Sequence, residues 1–258
     1  MPMSILEIHQ IPVLSDNYVY LIEDKESGEC AVVDPAVAEP VLDLLDARGM
    51  KLAYVLNTHH HGDHTGGNLA LKAKTGCKIV GAGRDAARIP GIDIDVGEGD
   101  VFQLGHSQAR VLEVPGHTSG HIAYWFKEAR ALFCGDTLFA LGCGRLFEGS
   151  PAQMWASLSA LRSLPGDTRV YCAHEYTQAN ARFALTVDPD NAALRARAHM
   201  VDQLRLKGKP TVPSTLAEEC ATNPFLRADD SDFCQALGMV QSDPVSVFAE
   251  TRHRKDIF

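Results

Sequence analysis

Thr58-His59-His60-His61-Gly62-Asp63-His64 stands directly behind the apolar run Ala53 to Leu56 and ahead of a periodic segment that begins near Asn68. A short apolar run of this kind reads as a strand, and Asn68 to Thr75, closed by Gly76, reads as a helix. The residues between them then lie in the turn at the strand's C-terminal end, where open α/β sheets carry their sites. His59 and His61 are two apart and can share one face of extended chain, while His60 points away. Beyond Gly62, Asp63 and His64 can turn toward a second position. Four potential ligands within six residues nearly meet the needs of two metal ions but do not complete them.

The missing partners are expected among His, Asp and Glu at the ends of later strands. His117 follows Val111-Leu112-Glu113-Val114-Pro115-Gly116, Asp136 follows Ala131-Leu132-Phe133-Cys134-Gly135, and His174 follows Val170-Tyr171-Cys172-Ala173. Two cations a few ångströms apart repel, so a bridging anion is needed, and Asp136 is the natural carboxylate. Any one of these three residues alone would read as a solvated or capping group. Together with the His-rich turn they argue for a metal centre, because the same cluster without metal would gather titrating groups for no benefit. His60 and His121 read as non-ligands, the latter packing against or supporting a ligand. Cys134 and Cys172, each two residues before a ligand candidate, read as small apolar residues. His9, His106 and His199 take surface or core positions.

Outward from this centre the texture changes about two thirds of the way along the chain. Up to about Ala173, strands are expected at Ile5 to Ile8, Tyr18 to Ile22, Ala31 to Val33, Ala53 to Leu56, Lys78 to Val80, Val101 to Leu104, Arg110 to Val114, Ile122 to Phe126, Ala131 to Cys134 and Arg169 to Cys172. Helices are expected at Pro40 to Arg48, Asn68 to Thr75 and Pro151 to Leu164. Strands in two series with helices between them suggest a layered α/β sandwich. After His174 the β-signal vanishes, and Thr177 to Thr186, Asn191 to Lys207, Thr215 to Ala221 and Pro244 to Arg254 read as helices. Asp188-Pro189 and Asp243-Pro244 each place a capping carboxylate before a proline, a combination suited to a helix N-terminus.

The chain of 258 residues is long enough for one large domain or two smaller ones, and its apolar fraction of 45% is ordinary for a globular protein. Lys and Arg number 24 against 33 Asp and Glu, a net charge of -9 that gives no general attraction to nucleic acid or to an anionic membrane. An anionic substrate must therefore meet a local basic cluster. The N-terminal stretch has no targeting pattern, and no apolar run approaches a membrane span. Seven Cys with no C-x-x-C pair fit reduced thiols in a cytoplasm.

His59-x-His61-x-Asp63-His64, Gly116-His117-Thr118, Gly135-Asp136 and His174 resemble the successive motifs of the metallo-β-lactamase superfamily. The resemblance implies an αββα sandwich over residues 1-173 and a helical substrate-binding domain over 174-258. It also implies that metal 1 takes His59, His61 and His117, that metal 2 takes Asp63, His64 and His174, and that Asp136 and a hydroxide bridge them. That hydroxide, with Asp63 and Asp136, forms the catalytic group. Two divalent ions are expected, zinc first, with iron or manganese also suited to a nitrogen and oxygen site.

The superfamily site serves many reactions, so the substrate must be read elsewhere. Leu141-Gly142-Cys143-Gly144-Arg145-Leu146-Phe147-Glu148-Gly149, Cys172-Ala173-His174-Glu175-Tyr176-Thr177, Thr222-Asn223-Pro224-Phe225-Leu226-Arg227 and Arg252-His253-Arg254-Lys255-Asp256 resemble the glyoxalase II, or hydroxyacylglutathione hydrolase, family over essentially the whole chain. By this resemblance Arg145 is the glutathione-contacting basic residue, Tyr176 the substrate-binding tyrosine, and Arg252 with Lys255 the pair that grips the glycine carboxylate. Phe147 departs from the family's tyrosine and lacks its hydroxyl, so one hydrogen bond to the peptide is lost. Independently, Arg252 and Lys255 are three apart and share a face if their segment is helical.

The activity so implied is hydrolysis of S-(2-hydroxyacyl)glutathione thioesters, S-D-lactoylglutathione to D-lactate and glutathione, the second step of methylglyoxal detoxification. The leaving thiol has a pKa of about 8.5, so its departure needs no strong general acid. A monomer acting on a small molecule, with neither nucleic acid nor membrane as partner, is expected. The alternatives are another hydrolase of the same fold or a glutathione persulfide dioxygenase. The complete second ligand set argues against the latter, and the room left for water argues against a closed structural metal site.

Overall fold

Leu6–Val13 (β1) and Asn17–Asp24 (β2) form an antiparallel hairpin with Val13 opposite Asn17. The computed structural model describes residues 6–258, so Ile5, at the head of the first expected strand, lies outside the described residues. Cys30–Val33 (β3) pairs antiparallel with β2. From β3 onward the sheet is parallel, because each return passes through a crossover: Glu39–Arg48 (α1) leads to Leu52–Leu56 (β4), Gly62–Thr65 (α2) and Asn68–Thr75 (α3) lead to Lys78–Ala82 (β5), and Ile94–Val96 (β6) closes the edge. Parallel strands buried on both faces explain the unbroken apolar runs at β3 and β4.

Val101–Leu104 (β7), Ser107–Glu113 (β8), Ile122–Phe126 (β9) and Ala131–Gly135 (β10) form an antiparallel meander. The two sheets meet through large side chains. Tyr20 packs on Phe133 at 5.5 Å, Tyr54 stands edge-on to Phe102 at 5.1 Å, and the hydroxyl of Tyr124 donates to the Asn57 carbonyl at 3.1 Å. Burial holds the Tyr124 phenol well above its ordinary pKa, so it stays a neutral donor. On the other face of the first sheet, Val41 and Leu45 of α1 and Leu71 of α3 pack against Val19, Leu21, Val32, Val55 and Ile79. Burying a side chain of this size contributes about 1.5–3 kcal/mol, which anchors the helices over the sheet.

These elements belong to one of two compact units, which runs up to Glu113 and includes Ser119–Gly135; the other comprises Val114–Thr118 and Asp136–Phe258. The second unit holds the small hairpin Leu138–Phe139 (β11) and Gly142–Cys143 (β12), then Pro151–Arg162 (α4), Arg169–Cys172 (β13), Thr177–Val187 (α5), Ala192–Leu206 (α6), Ser214–Thr215 (β14), Leu216–Thr222 (α7), Ser231–Leu237 (α8) and Pro244–Asp256 (α9). Helix α4 starts at a reciprocal Ser150 and Gln153 capping box, and α7 at one made by Thr215 and Glu218. Leu141, Ala181, Ala184, Leu194 and Ala198 form the small core between α5 and α6. Trp155 of α4 and Phe248 of α9 join those two helices at 6.3 Å.

The expected helix ends are corrected in one place. Asp243 caps α9 through the Ser246 amide at 3.1 Å, but Asp188 does not cap α6. Asn191 does, and Asp188 instead receives the Arg227 guanidinium and the Asn191 amide. A buried arginine competes for that carboxylate more strongly than a backbone N–H. Unforeseen elements are short ones, β6, β11, β12, β14, α2 and α8, whose few residues carry too little periodicity to read. Strand β14 is a two-residue pairing with β13 inside the segment expected to be purely helical.

Candidate active site

Strand β4 ends at Leu56, and the chain turns through Asn57 and Thr58 into the histidine run. The turn is held by Asp34, a residue the sequence reading passed over. Its carboxylate accepts from the Thr58 amide at 2.7 Å and the Thr58 hydroxyl at 2.6 Å, and it faces Nδ1 of His64 at 3.1 Å. A carboxylate only accepts, so His64 carries its proton on Nδ1 and keeps a lone pair on Nε2. The Thr58 hydroxyl, having donated to Asp34, accepts from Nδ1 of His59 at 3.1 Å, which likewise leaves Nε2 of His59 as an acceptor. Asp34 thus fixes two ring tautomers, one directly and one through Thr58. The signal that could have exposed it is Asp34-Pro35 at the end of an apolar strand, and in the structure Asp34 has a φ of 49°, unusual for a side chain.

The liberated atoms converge. Nε2 of His59 lies 3.0 Å from Nδ1 of His61, and Nε2 of His64 lies 3.6 Å from an Asp63 oxygen. Asp63 is steadied by Asn17, whose side-chain amide donates to its carboxylate at 3.1 Å and its carbonyl at 3.2 Å. His60 turns away, as expected, onto the buried Asp85 at 3.0 Å. His121 stacks on His59 with ring centroids 4.5 Å apart and directs Nδ1 at the Ile122 carbonyl, a supporting position. Gly135 lies against the same turn: it has a φ of 48°, and a Cβ there would fall 2.2 Å from the Thr58 hydroxyl.

In the second unit His117, Asp136 and His174 form a three-residue group. Nδ1 of His117 faces the Arg145 carbonyl at 2.9 Å and so bears the proton, leaving Nε2 directed at one Asp136 oxygen at 3.4 Å. The other Asp136 oxygen faces Nε2 of His174 at 3.4 Å. Acceptors set face to face at this distance call for a cation. Donor atoms about 2.0–2.1 Å from one tetrahedral ion are roughly 3.3–3.4 Å apart, so these spacings fit a divalent metal. The donor set of imidazole nitrogen and carboxylate oxygen fits as well. Burial pushes the Cys172 thiol up to about 12, and its Sγ donates to the His174 carbonyl at 3.6 Å.

The loop from Asp136 to Phe147 is held from below by the helices. Glu219 accepts from the Leu141 amide at 2.9 Å, and Asn223 donates to the Phe139 and Gly142 carbonyls at 3.1 and 3.0 Å. Asn180 donates to the Ala140 carbonyl at 3.1 Å. Arg197, buried in α6, ion-pairs with Glu219 and fixes its carboxylate. Leaving such a group unpaired would cost about 3–5 kcal/mol, which makes the clamp rigid. Among these residues only Asn223 lay in a motif singled out from the sequence; Glu219, Asn180 and Arg197 gave no local signal.

The expected substrate residues sit in this unit too. Phe147, 62% exposed, stands edge-on to His117 at 5.2 Å, and Tyr176 stacks on His174 at 4.7 Å with rings nearly parallel. Arg145 is exposed. Lys255 lies over the rings of Phe183 and Phe258, and its pKa is lowered by burial first and then by the charges of Arg252 and Arg145. The three cations therefore form one field. Arg252 is largely buried, donating to the Cys143 carbonyl at 3.0 Å and pairing with Asp256 at 2.9 Å.

Sheets whose strand ends gather His and Asp in this way match, over residues 14–174, the family model of the metallo-beta-lactamase superfamily, and the fold is its αββα sandwich followed by a helical domain. Residues 175–258 match the model described as hydroxyacylglutathione hydrolase C-terminus. A hydroxyacylglutathione hydrolase of Methylococcus capsulatus is 64% identical over 98% of this chain and 99% of its own length; one of Rhodospirillum rubrum is 61% identical over 99% and 100%. The chain belongs to the hydroxyacylglutathione hydrolase family. Among solved structures, ETHE1 from Myxococcus xanthus aligns with a TM-score of 0.67 at 26% identity, over 97% of this chain and 99% of that one. TTHA1623 in a di-iron-bound form aligns with a TM-score of 0.60 at 27% identity, over 85% and 100%.

Proposed function

We propose that the protein hydrolyses S-(2-hydroxyacyl)glutathione thioesters, with S-D-lactoylglutathione giving D-lactate and glutathione, the second step of methylglyoxal detoxification. The observation that carries the reading is the Asp136 carboxylate, which turns one oxygen to His117 and the other to His174. Such a carboxylate would be placed to serve two ions, one oxygen each. Residues His59, His61 and His117 would hold one ion and Asp63, His64 and His174 the other, zinc first, with iron or manganese as substitutes. Such ions supply activated water at neutral pH and polarise a carbonyl.

The chain's own residues do the rest. Asp34, Thr58 and the Arg145 carbonyl keep the imidazoles in their ligating tautomers. Arg145, Arg252 and Lys255 supply the positive field for a glutathione carboxylate in an otherwise acidic protein. Tyr176 and Phe147, packed on His174 and His117, line the approach to the reacting carbonyl. A thiolate leaves without a general acid, in keeping with a site built of ligands and cations. We assign residues 1-173 to an αββα domain and 174-258 to a helical substrate-binding domain, in a cytoplasmic monomer without nucleic-acid or membrane partners. No helix among the described residues is long and apolar enough to cross a membrane.

Protein of measured metal content, assayed with S-D-lactoylglutathione, glutathione persulfide and a β-lactam, tests the reading. Thioester hydrolysis dependent on metal is expected. Turnover of either other substrate with the thioester untouched would overturn it.

A further inference from the structure

We infer that Asp256 occupies the subsite of the substrate's glycine carboxylate and sets the affinity for it, an inference that rests on the glutathione-thioester reading above. One Asp256 oxygen accepts from Nε of Arg252 at 3.0 Å and pairs with its terminal nitrogen at 2.9 Å, so it fills one edge of the guanidinium fork. The same oxygen lies 3.8 Å from Nε of Arg145. A carboxylate held by one arginine and flanked by a second is the arrangement that would be needed for an incoming anion. Arg252 does not depend on Asp256 for its place: it is 5% exposed, donates to the Cys143 carbonyl at 3.0 Å and lies 5.0 Å from the Phe225 ring centre. Asp256 itself, at the last turn of α9, keeps 41% of its side chain exposed and can swing out.

A substrate carboxylate that seeks the same fork must displace Asp256, and the negative charge of Asp256 offsets part of the attraction from Arg145, Arg252 and Lys255. A partly exposed ion pair of this kind changes an equilibrium by about two- to fivefold. Asp256 thus acts as an internal competitor that keeps binding of the glutathione moiety weak enough for product to leave.

The test compares the native chain with Asp256→Asn and Asp256→Ala in calorimetric binding of S-methylglutathione and in KM for S-D-lactoylglutathione. Both constants should fall about two- to fivefold at low salt, and the gain should shrink as salt screens the cluster. The corresponding γ-glutamylcysteine thioester, which lacks the glycine and ends its carboxylate one residue short of the fork, should show a smaller gain. Unchanged or weaker binding in both variants overturns the inference, as does an equal gain with the shortened substrate. A native protein that fails to bind S-methylglutathione overturns the glutathione reading itself, so the two failures are told apart.

Discussion

Replacing Asp34 by Asn keeps the side-chain volume and removes the acceptor that organises the histidine turn. The native carboxylate makes three polar contacts, with the Thr58 amide, the Thr58 hydroxyl and His64, at 2.7, 2.6 and 3.1 Å. An asparagine that turns its oxygen to the Thr58 amide, where its NH2 would otherwise meet that N–H, keeps one of them. Its NH2 then faces Nδ1 of His64, and the only hydrogen bond available puts the proton of His64 on Nε2, the atom needed for metal. A charge-assisted hydrogen bond contributes about 1.5–3 kcal/mol and a neutral one about 0.5–1.5. Over three contacts the loss is about 2–4 kcal/mol, undiluted by solvent because Asp34 is 3% exposed. For a chain of this size that is a fall in Tm of roughly 5–15 °C. Metal affinity should drop about 10–100-fold, as for other partners that orient ligating histidines, with both His59 and His64 affected. Competition with a chromophoric chelator measures the affinity, and thermal unfolding of the metal-free chain measures the stability. Native affinity for both ions together with an unchanged Tm would refute the tautomer argument.

Asp136→Asn should abolish most thioester hydrolysis and weaken metal binding at both positions, since a neutral amide screens two cations poorly; metal analysis after dialysis checks it, and two tightly held ions with near-native turnover would defeat the shared-carboxylate assignment. Neutral replacement of both Arg252 and Lys255 should raise KM for a glutathione thioester far more than it lowers kcat, because cations that hold a carboxylate taking no part in the reaction bind ground and transition states alike. An intact, metal-replete double variant with native KM would remove the glutathione subsite from that helix. Burial and neighbouring cations depress the Lys255 pKa below its ordinary 10.5. Its charge is therefore lost earlier than an ordinary lysine's as pH rises, and S-methylglutathione affinity should fall with it on the alkaline side. Lys255→Arg should flatten that profile, and an identical profile in the variant would assign the loss to another group.

The His59-x-His61-x-Asp63-His64 run, the later His117, Asp136 and His174, and the change from strands to helices near Ala173 were legible in the linear chain. They are legible because ligand chemistry restricts residue type and because strand and helix periods differ, both local properties. Asp34 was not legible, for its role consists of three contacts with residues 24 and 30 positions away. Glu219, Asn180 and Arg197 were equally silent, since an isolated polar residue on a helix reads as solvated until packing buries it. The misplaced cap at Asp188 has the same origin: the sequence offers the N-cap carboxylate, and only the fold brings Arg227 to claim it. Residue type alone therefore determined which atoms could hold metal and substrate, while tertiary structure decided which proton each imidazole carries and which carboxylate meets Arg252, because hydrogen bonds and desolvation depend on neighbours that the chain brings together only when folded.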